Sequence, residues 1–248
     1  MDSLAFLKLL AHDLRWQMLC SLTSSDYRVN ELVTLVGQPA NVVSYHLKQM
    51  RAAGVVETRR SDADGRDVYY SLDLDRLKSA FYAAGAALHP ALGVIPQPQP
   101  AGPSLMNIGS LRVLFVCTHN SARSQMAEGL LRYIGGDAVQ AYSAGSHPTT
   151  IHPEAVRTMD SMGVDIREQM VHHMSTFLDD RFDYVITVCD NAREVCPTFK
   201  SEGVKLHWGL PDPAAIADAI ERRDAFAWTA RRLQARINYF LTHHQESS

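Results

Sequence analysis

The sequence predicts two domains: an N-terminal α+β domain with a helix-turn-helix and a β-hairpin, and a C-terminal α/β domain built on a parallel sheet. Three observations predict this division. Prolines at positions 90, 96, 98, 100 and 103 interrupt the chain. Before them, helical spacing of apolar residues gives way to alternation with a period of two, and after them strand-like and helix-like segments alternate. We therefore expect domains at residues 1–88 and 110–248, joined by an extended proline-rich linker over residues 89–109.

Composition narrows the class of protein. The 248 residues are 46% apolar and 21% charged, as in globular proteins that fold in water. A net charge of -3 argues against a surface built wholly for nucleic acid, although a local basic face is compatible with it. The start lacks a basic signal region, and no apolar run approaches the roughly 18 residues of a membrane helix, so we expect a cytoplasmic protein that does not enter a membrane. The four cysteines are too few for a disulfide scaffold and favour a redox or catalytic use.

The first ninety residues contain a helix-turn-helix pattern. Apolar residues recur at helical spacing from Leu4 to Leu22, which predicts one or two amphipathic helices. A short helix is predicted over residues 29–36, and Pro39 suits the first turn of a second helix that ends at Gly54. Only a short turn separates these two helices, so they form the predicted helix-turn-helix.

After Gly54, apolar and polar residues alternate on both sides of a polar turn at residues 62–65, which predicts a β-hairpin. A winged helix-turn-helix places its second helix in the major groove of DNA and its hairpin along the phosphates. The candidate DNA-binding residues on these two elements are Asn41, Ser44, Tyr45, His46, Lys48, Arg51, Arg59, Arg60 and Arg66. The alternative is a solvated charged face on a module that binds protein.

Residues 3–88 resemble the ArsR/SmtB-type repressors in Val29-Asn-Glu-Leu-Val, Ser44-Tyr-His-Leu-Lys-Gln-Met-Arg-Ala-Ala-Gly54-Val-Val-Glu and Gly65-Arg-Asp-Val-Tyr-Tyr-Ser-Leu. The resemblance implies a homodimer, joined by its first and last helices, that binds double-stranded operator DNA. Family members that sense arsenite carry a cysteine cluster where this chain has residues 31–36, with no thiol. The last helix, over residues 74–88, lacks paired metal ligands. We therefore expect neither metalloid nor metal at those family sites.

The most informative stretch of the C-terminal half begins with an apolar run that ends at Cys117. Arg123 follows six positions later, at the start of an amphipathic helix. In a strand, tight loop and helix of this kind, backbone N–H groups converge and the helix N-terminus adds its own, so the loop is predicted to bind a tetrahedral oxyanion. The same donors stabilise a thiolate, which makes Cys117 the predicted nucleophile, and the planar guanidinium of Arg123 suits two oxyanion oxygens. The other loop residues are Thr118, His119, Asn120, Ser121, Ala122 and Ser124. The alternative is a buried structural cysteine and a surface arginine.

The run Cys117-Thr-His-Asn-Ser-Ala-Arg-Ser-Gln-Met-Ala-Glu resembles the low-molecular-weight phosphotyrosine phosphatase superfamily, whose signature is cysteine, five residues, arginine, then serine or threonine. Within that superfamily it looks closest to the thioredoxin-coupled arsenate reductases. The resemblance implies a phosphatase I-like fold for residues 110–248, arsenate as substrate and thioredoxin as reductant.

The remaining elements alternate along the chain. Strands are predicted over residues 138–144, 183–188 and 204–206, a helix over 153–162, and a long final helix around Leu233. Such alternation implies a parallel sheet, which binds ligands at the carboxyl ends of its strands. Because Cys117 and Cys189 each follow a predicted strand, both should open onto that edge.

Cys189 and Cys196 are seven positions apart, a spacing that also matches the reductases. In the implied relay Cys117 attacks arsenate, Cys189 attacks Cys117 and releases arsenite, and Cys196 attacks Cys189 to leave a disulfide. Thioredoxin reduces that disulfide, although mycothiol or glutaredoxin could replace it. If residues 189–196 were helical, a rise of about 1.5 Å per residue would separate the two cysteines by roughly 10 Å, so the segment must unwind during turnover. The alternative is two buried thiols with no redox role.

Asp212 directly precedes Pro213, and in the phosphatase superfamily that pair supplies the general acid that protonates the leaving oxygen. Ala214 and Ala215 stand where the phosphatases usually have two tyrosines, which disfavours a phosphotyrosine pocket. In the reductases, a network that supports the loop and, in some members, binds potassium matches Asn120, Ser124, Glu128 and Ser143. We expect no tightly bound cofactor and no metal centre, and the match to this network leaves potassium as a possible ligand.

Together these patterns predict an arsenic-resistance fusion of a dimeric transcription regulator and a thioredoxin-coupled arsenate reductase. Two alternatives stay open. A phosphatase would still hydrolyse p-nitrophenyl phosphate after loss of Cys189 and Cys196. A regulator whose C-terminal half only senses oxyanion or redox state would show negligible turnover, but its DNA affinity would change with arsenate or with oxidation.

Overall fold

A computed structural model describes residues 2–93, 111–196 and 203–246 of the chain. The chain forms two compact units, Met1–Ser104 and Leu105–Ser248. Most of the predicted linker, residues 94–109, lies outside the described residues. None of the described helices combines the length and apolar character needed to span a bilayer.

The N-terminal unit packs helices around a small antiparallel sheet. Its helices are Ser3–Leu10 (α1), Asp13–Ser24 (α2), Val29–Val36 (α3), Ala40–Ala52 (α4) and Leu74–Leu88 (α5). Its strands are Tyr27–Arg28 (β1), Val56–Arg60 (β2) and Val68–Leu72 (β3), in the order β1-β3-β2. The predicted helix-turn-helix is α3 and α4, and the predicted hairpin is β2 and β3, so the winged helix-turn-helix prediction is confirmed.

Local chemistry fixes the ends of these helices. Gly37 ends α3 with a φ of 64°, a left-handed conformation that glycine adopts without strain. The Asp73 carboxylate accepts a hydrogen bond from the Arg76 N–H at 3.0 Å and so caps α5. Leu32 of α3 and Leu47 and Met50 of α4 are fully buried and hold the two helices on the common core.

Two features of this unit differ from the sequence predictions. The short strand β1, which adds to the free edge of β3, was not predicted, because two residues carry no periodic signal. The expected extended linker is wrong at its start, since Pro90–Gly93 forms a 3-10 turn in which the Leu92 N–H donates to the His89 carbonyl at 2.9 Å. Proline is tolerated at the first residue of such a turn because no N–H is needed there.

The C-terminal unit has a four-stranded parallel sheet among its described residues, as predicted. The strands are Leu111–Cys117 (β4), Val139–Gly145 (β5), Tyr184–Thr187 (β6) and Val204–His207 (β7), in the order β5-β4-β6-β7. The helices are Arg123–Gly135 (α6), Pro153–Ser161 (α7), Asp190–Val195 (α8) and Ala219–Glu246 (α9). Val113, Leu114 and Phe115 of β4 are fully buried, as expected of a central parallel strand covered on both faces.

The strand order places a switch point at the carboxyl ends of β4 and β6. The chain leaves β4 toward β5 on one side and then returns to β6 on the other side of β4. Connections that diverge in this way leave a crevice between the two strand ends, where α/β sheets bind their ligands. Cys117 is the last residue of β4, and Cys189 lies two residues beyond β6.

Candidate active site

The loop between β4 and α6 is held in a tight conformation. Asn120 has a φ of 47°, a left-handed conformation that asparagine tolerates better than most side chains. The end of β5 approaches the loop so closely that a Cβ atom at Gly145 would lie 2.6 Å from the Thr118 carbonyl oxygen and 2.8 Å from the Asn120 nitrogen. Glycine at position 145 therefore lets the loop fold against the sheet.

Hydrogen-bond donors surround the Cys117 sulfur. The Asn120 backbone N–H donates to Cys117 Sγ at 3.1 Å, and Ser124 Oγ lies 2.9 Å from the same sulfur. Ser124 is on the first turn of α6, so its hydroxyl and the helix N-terminus act on Cys117 from the same side. Donors from the loop and from the start of α6 therefore converge on the Cys117 sulfur.

The Asn120 side chain holds the loop in place through hydrogen bonds to its neighbours. Its Nδ2 donates to Ser124 Oγ at 2.9 Å and to Ser143 Oγ at 2.7 Å, and its Oδ1 accepts from Gln125 Nε2 at 3.2 Å and from the His172 N–H at 2.8 Å. Because Ser124 Oγ accepts from Asn120, its own hydrogen can point to Cys117. Asn120 thus sets the direction of the hydrogen bond that reaches the sulfur.

Arg123 is buried and held at both ends of its guanidinium. Its Nη1 donates to the Leu210 carbonyl at 2.8 Å, and its Nη2 lies 3.2 Å from Asp212 Oδ2. The loop after β7, which carries both partners, therefore sits beside the oxyanion loop. Asp212 is partly exposed and also caps the short turn Pro213–Ala215. An oxyanion bound in the loop would lie between a fixed cation and a carboxyl group.

Cys189 lies against the same loop, with its Sγ 3.3 Å from Thr118 Oγ1, next in sequence to Cys117. It caps α8 by accepting from the Ala192 N–H at 3.4 Å, and it is only 1% exposed. Burial raises the pKa of the Cys189 thiol, although the Arg123 charge acts in the opposite direction. Cys189 therefore lies against the loop that follows Cys117 but is shielded from solvent.

Cys196 is half-buried and follows directly after α8. Burial raises the pKa of its thiol, partly offset by the charge of Lys205. Since residues 190–195 are helical, Cys189 and Cys196 are about 10 Å apart along the helix axis, farther than a disulfide allows. The two cysteines can pair only if α8 unwinds.

The family is decided by comparison with known proteins. The family described as low molecular weight phosphotyrosine protein phosphatase matches residues 112–247, more than half of the chain. The chain belongs to this family. A second family, described as bacterial regulatory protein, arsR family, matches residues 12–58, so the N-terminal unit is an ArsR-family helix-turn-helix domain. The fusion architecture predicted from the sequence is confirmed.

Relatives of the phosphatase-family unit carry the name arsenate reductase. The protein from Halalkalibacterium halodurans is 42% identical over 111 residues, 45% of this chain and 80% of the relative. The protein from Shouchella clausii is 36% identical over 129 residues, 52% of this chain and 93% of the relative. A solved structure of a thioredoxin-dependent arsenate reductase from Corynebacterium glutamicum is 24% identical, with a TM-score of 0.44, and covers 89% of this chain and 96% of its own.

One buried cluster near the loop that follows Cys117 was not predicted from the sequence: Thr187, Asp190 and His207. His207 Nε2 lies 2.9 Å from Asp190 Oδ1, and His207 Nδ1 lies 2.8 Å from Thr187 Oγ1. All three side chains are buried. The available signal was that Asp190 follows β6 and His207 ends β7, since neighbouring parallel strands bring their carboxyl ends together.

The potassium site implied for some reductases does not fit this arrangement. Asn120 Oδ1 already accepts two hydrogen bonds, Ser143 Oγ accepts one from Asn120, and Glu128 Oε1 pairs with Arg132 Nη2 at 2.6 Å. Of the oxygens in this network, Glu128 Oε2 is the one that is buried without a hydrogen-bond partner. Burial raises the pKa of the Glu128 carboxyl, opposed by Ser143 and Arg132. Among the described residues, no group of His, Cys, Asp and Glu side chains is arranged to hold a metal ion.

Most of the candidate DNA-binding residues lie on the surface of the ArsR-family unit. Those that are exposed are Asn41, Ser44, Tyr45, Lys48 and Arg51 on α4, Arg60 on β2 and Arg66 beyond it. Arg59 is half-buried, with its guanidinium 5.4 Å from the centre of the Tyr69 ring. The expectation that His46 is exposed is wrong.

His46 is 7% exposed and faces into the ArsR-family unit. Its ring centre is 4.5 Å from that of His12, and its Nδ1 is 3.4 Å from Arg15 Nη1. Helical spacing alone placed His46 beside the exposed Tyr45, but His12 and Arg15 at the start of α2 cover this part of α4. Burial lowers the pKa of the His46 imidazole, and the charges of His12 and Arg15 add to that effect.

Proposed function

We propose that the C-terminal unit reduces arsenate to arsenite through a relay of Cys117, Cys189 and Cys196. The observation that carries the proposal is that a second cysteine, Cys189, lies against the oxyanion loop, 3.3 Å from Thr118 Oγ1. A phosphatase needs one nucleophilic cysteine, whereas a reductase needs a second thiol within reach of the first. The arsenate reductases that are 36–42% identical to this unit support the same conclusion.

The first step makes a bond between sulfur and arsenic. The Cys117 thiolate attacks arsenate held by the loop amides and by Arg123, and one arsenic–oxygen bond breaks. Asp212, beside Arg123, supplies the proton that lets this oxygen leave as water. Arsenic is still in its +5 state in the resulting thiol-arsenate adduct.

Reduction occurs in the second step. The Cys189 thiolate attacks Cys117 Sγ, a disulfide forms, and the electron pair of the broken sulfur–arsenic bond stays on arsenic, which leaves as arsenite. Cys196 then attacks Cys189, which regenerates the Cys117 thiolate and leaves a Cys189–Cys196 disulfide. Because α8 separates these cysteines, the third step includes unwinding of the helix.

A dithiol must return two electrons to the disulfide before the next turnover. Thioredoxin is the reductant that we propose, since its two thiols reduce a protein disulfide without a bound cofactor. Arsenate and a dithiol protein are then the substrate and the partner of this unit, and both agree with the cytoplasmic location that we propose.

Arsenate-dependent oxidation of NADPH, coupled through thioredoxin and thioredoxin reductase, tests the relay. We expect turnover in the wild type and in Cys20→Ser, a matched control because Cys20 is exposed on α2 of the other unit. Cys117→Ser, Cys189→Ser and Cys196→Ser should each abolish multiple turnover. Cys196→Ser should still release one arsenite per chain and accumulate a Cys117–Cys189 disulfide, which mass spectrometry detects.

The two rival functions give different results in the same set of proteins. A phosphatase would hydrolyse p-nitrophenyl phosphate equally well in wild type and in the double variant Cys189→Ser, Cys196→Ser, without arsenate turnover. A sensor without catalysis would oxidise no NADPH, while its affinity for DNA would change with arsenate. Either pattern would refute the proposed reductase.

We further propose that residues 1–88 bind operator DNA as a homodimer and that residues 110–248 carry the reductase. The exposed polar and basic side chains of α4 are suited to a major groove, and Arg60 and Arg66 near the hairpin tip are suited to phosphates. Helices α1 and α5 pack together through an edge-to-face contact of Phe6 and Phe81 at 5.0 Å.

Exposed apolar side chains on α1 and α5 support dimerisation through these helices. Leu4 is 61% exposed, Leu88 is 75% exposed, and Phe81 remains 47% exposed although it contacts Phe6. Such a face is covered when two copies associate. Sedimentation of the full chain should give a dimer, and Leu88→Asp should give a monomer with weakened DNA binding. Leu35→Asp, at a leucine of α3 that is 54% exposed, is the matched control and should remain dimeric. A wild-type monomer would contradict the proposal.

A further inference from the structure

A buried hydrogen-bonding contact joins residues 189–196, here called the redox segment, to the sheet. Asp190 is 0% exposed and is the first residue of α8, directly after Cys189. Its Oδ1 lies 2.9 Å from Nε2 of the buried His207. The other ring nitrogen of His207 is engaged by Thr187 Oγ1 at 2.8 Å, so the imidazole is fixed on both sides. The relay proposed above uses none of these three side chains.

The sheet side of this contact is rigid. Thr187 and His207 face each other at the ends of the parallel strands β6 and β7. The next residue, Trp208, is fully buried, donates its N–H to the Thr187 carbonyl at 2.8 Å and packs on Phe115 of the central strand. A residue held in this way cannot follow a helix that moves.

On the helix side, burial is greatest at the beginning of α8. Asp190 and Ala192 are buried, whereas Asn191, Glu194 and Val195 are exposed. With six residues, α8 is too short to be stable without contacts to the rest of the protein. The Asp190–His207 pair is therefore a polar connection between this segment and the core.

Oxidation of the cysteine pair requires this connection to open. A Cys189–Cys196 disulfide needs Cα atoms about 4.4–6.8 Å apart, which α8 does not allow. A protein reductant must also reach the disulfide, but Cys189 is 1% exposed. Because consecutive Cα atoms are 3.8 Å apart, Cys189 cannot move to the surface while Asp190 stays bound to His207.

We propose that the Asp190–His207 pair is a latch that holds the redox segment closed in its dithiol state and must break when the Cys189–Cys196 disulfide forms. The latch shifts the thiol–disulfide equilibrium of this pair toward the dithiol. It also keeps Cys189 against the oxyanion loop until Cys117 has reacted. The inference deepens the proposed reductase, since it concerns the last thiol step of the relay. Asp190 and His207 are positioning residues, because neither touches arsenic or a reacting sulfur in this role.

Equilibration with dithiothreitol tests the latch in the full-length protein without arsenate. The protein dithiol passes two electrons and two protons to oxidised dithiothreitol, and thiol trapping with mass spectrometry gives the ratio of disulfide to dithiol. Every protein in this test carries Cys20→Ser and Cys117→Ser, so the measured disulfide is that of Cys189 and Cys196. The protein with these two substitutions alone is the background. Asp190→Ala should shift the equilibrium toward the disulfide by about tenfold, the effect expected from loss of one buried hydrogen bond to a charged group.

A second variant separates the latch from the stability of α8 itself. Asp190 also places a negative charge at the helix N-terminus, which stabilises the helix independently of His207. The variant Asp190→Ala, Asn191→Asp returns an acidic group to that turn without restoring the pair. We expect its equilibrium to stay shifted, whereas Asn191→Asp alone should match the background. Recovery of the background ratio in the combined variant would overturn the latch.

A double-mutant cycle with His207→Gln completes the test. If the two residues act through one contact, the shift in Asp190→Ala, His207→Gln equals that of one single variant and not the product of both. Circular dichroism of each variant verifies that it is folded. An Asp190→Ala equilibrium within about twofold of the background would overturn the latch and leave the relay intact. Absence of a Cys189–Cys196 disulfide in every protein would overturn the relay, and the latch with it.

Discussion

Changing Asn120 to aspartate should slow the reaction of Cys117 although the two side chains have almost the same shape. Asn120 Nδ2 donates to Ser124 Oγ at 2.9 Å, which leaves the Ser124 hydrogen for Cys117 Sγ, also at 2.9 Å. An aspartate presents an oxygen at the Nδ2 position and can only accept. Ser124 must then donate to position 120, and the Cys117 thiolate loses one donor.

The size of the effect follows from this single hydrogen bond. A hydrogen bond to a charged group contributes roughly 1.5–3 kcal/mol, so loss of this donor should weaken the stabilisation of the charged sulfur by a factor of about 10 to 100. A thiolate that is less stabilised is intrinsically more nucleophilic and regains about half of this loss on a logarithmic scale. Alkylation of Cys117 at neutral pH should therefore be about 3- to 10-fold slower.

Iodoacetamide labelling, followed by mass spectrometry of the Cys117 peptide, measures this rate separately from the other cysteines. Ser124→Ala removes the same donor without adding a charge and should give a similar rate. Ser143→Ala is the matched control, because it deletes the other hydroxyl that accepts from Asn120 Nδ2, at 2.7 Å, and leaves Ser124 in place. A wild-type rate in Asn120→Asp, or an equally slow rate in Ser143→Ala, would refute the reasoning.

Three further predictions concern acid, base and cations. Burial, His12 and Arg15 lower the pKa of His46, so the imidazole takes up a proton more readily in the unfolded chain than in the folded one. The N-terminal unit should therefore keep this contribution to its stability above about pH 6.5 and lose it progressively at lower pH. Thermal unfolding at a series of pH values measures the loss. His46→Gln should flatten that dependence, and an unchanged slope would contradict the assignment. Burial raises the pKa of Cys196, so its attack on the Cys117–Cys189 disulfide should accelerate about tenfold per pH unit from neutral to mildly alkaline pH. Acid-quenched single turnovers measure this rate. A rate that does not change with pH would show that another event limits this step. Exchange of potassium for sodium should leave arsenate turnover unchanged, because protein donors already occupy most of the candidate ligand oxygens, and strict dependence on potassium would require the Glu128–Arg132 pair to open.

Local patterns predicted the strand, loop and helix around Cys117 and the helix-turn-helix well because both are continuous in sequence. The apolar run before Cys117, the following glycine-free loop and the helix that starts at Arg123 lie within twenty residues. The same holds for α3, Gly37 and α4, where the turn residue and the helical period lie next to each other. Because the residues that act together are close in sequence in both cases, their spacing alone predicts the local structure.

Residues that act across the fold were predicted only in part. Alternating strands indicated that Cys117 and Cys189 share one sheet edge, but the contact of Arg123 with the Leu210 carbonyl joins residues 87 positions apart and left no sequence signal. His46 was misassigned because helical spacing defines a face of α4 without revealing which neighbour covers it.

By itself the sequence determined the two units, the strand, loop and helix around Cys117, and the presence of two further thiols. Hydrophobic period, turn residues and motif spacing act over short stretches of chain. The tertiary structure alone decided that Asn120 directs Ser124 toward the sulfur, that α8 keeps the second and third cysteines apart, and that Asp190 is bound to His207. These contacts depend on the register and order of the parallel strands. That order is set by burial of the whole core rather than by any one segment.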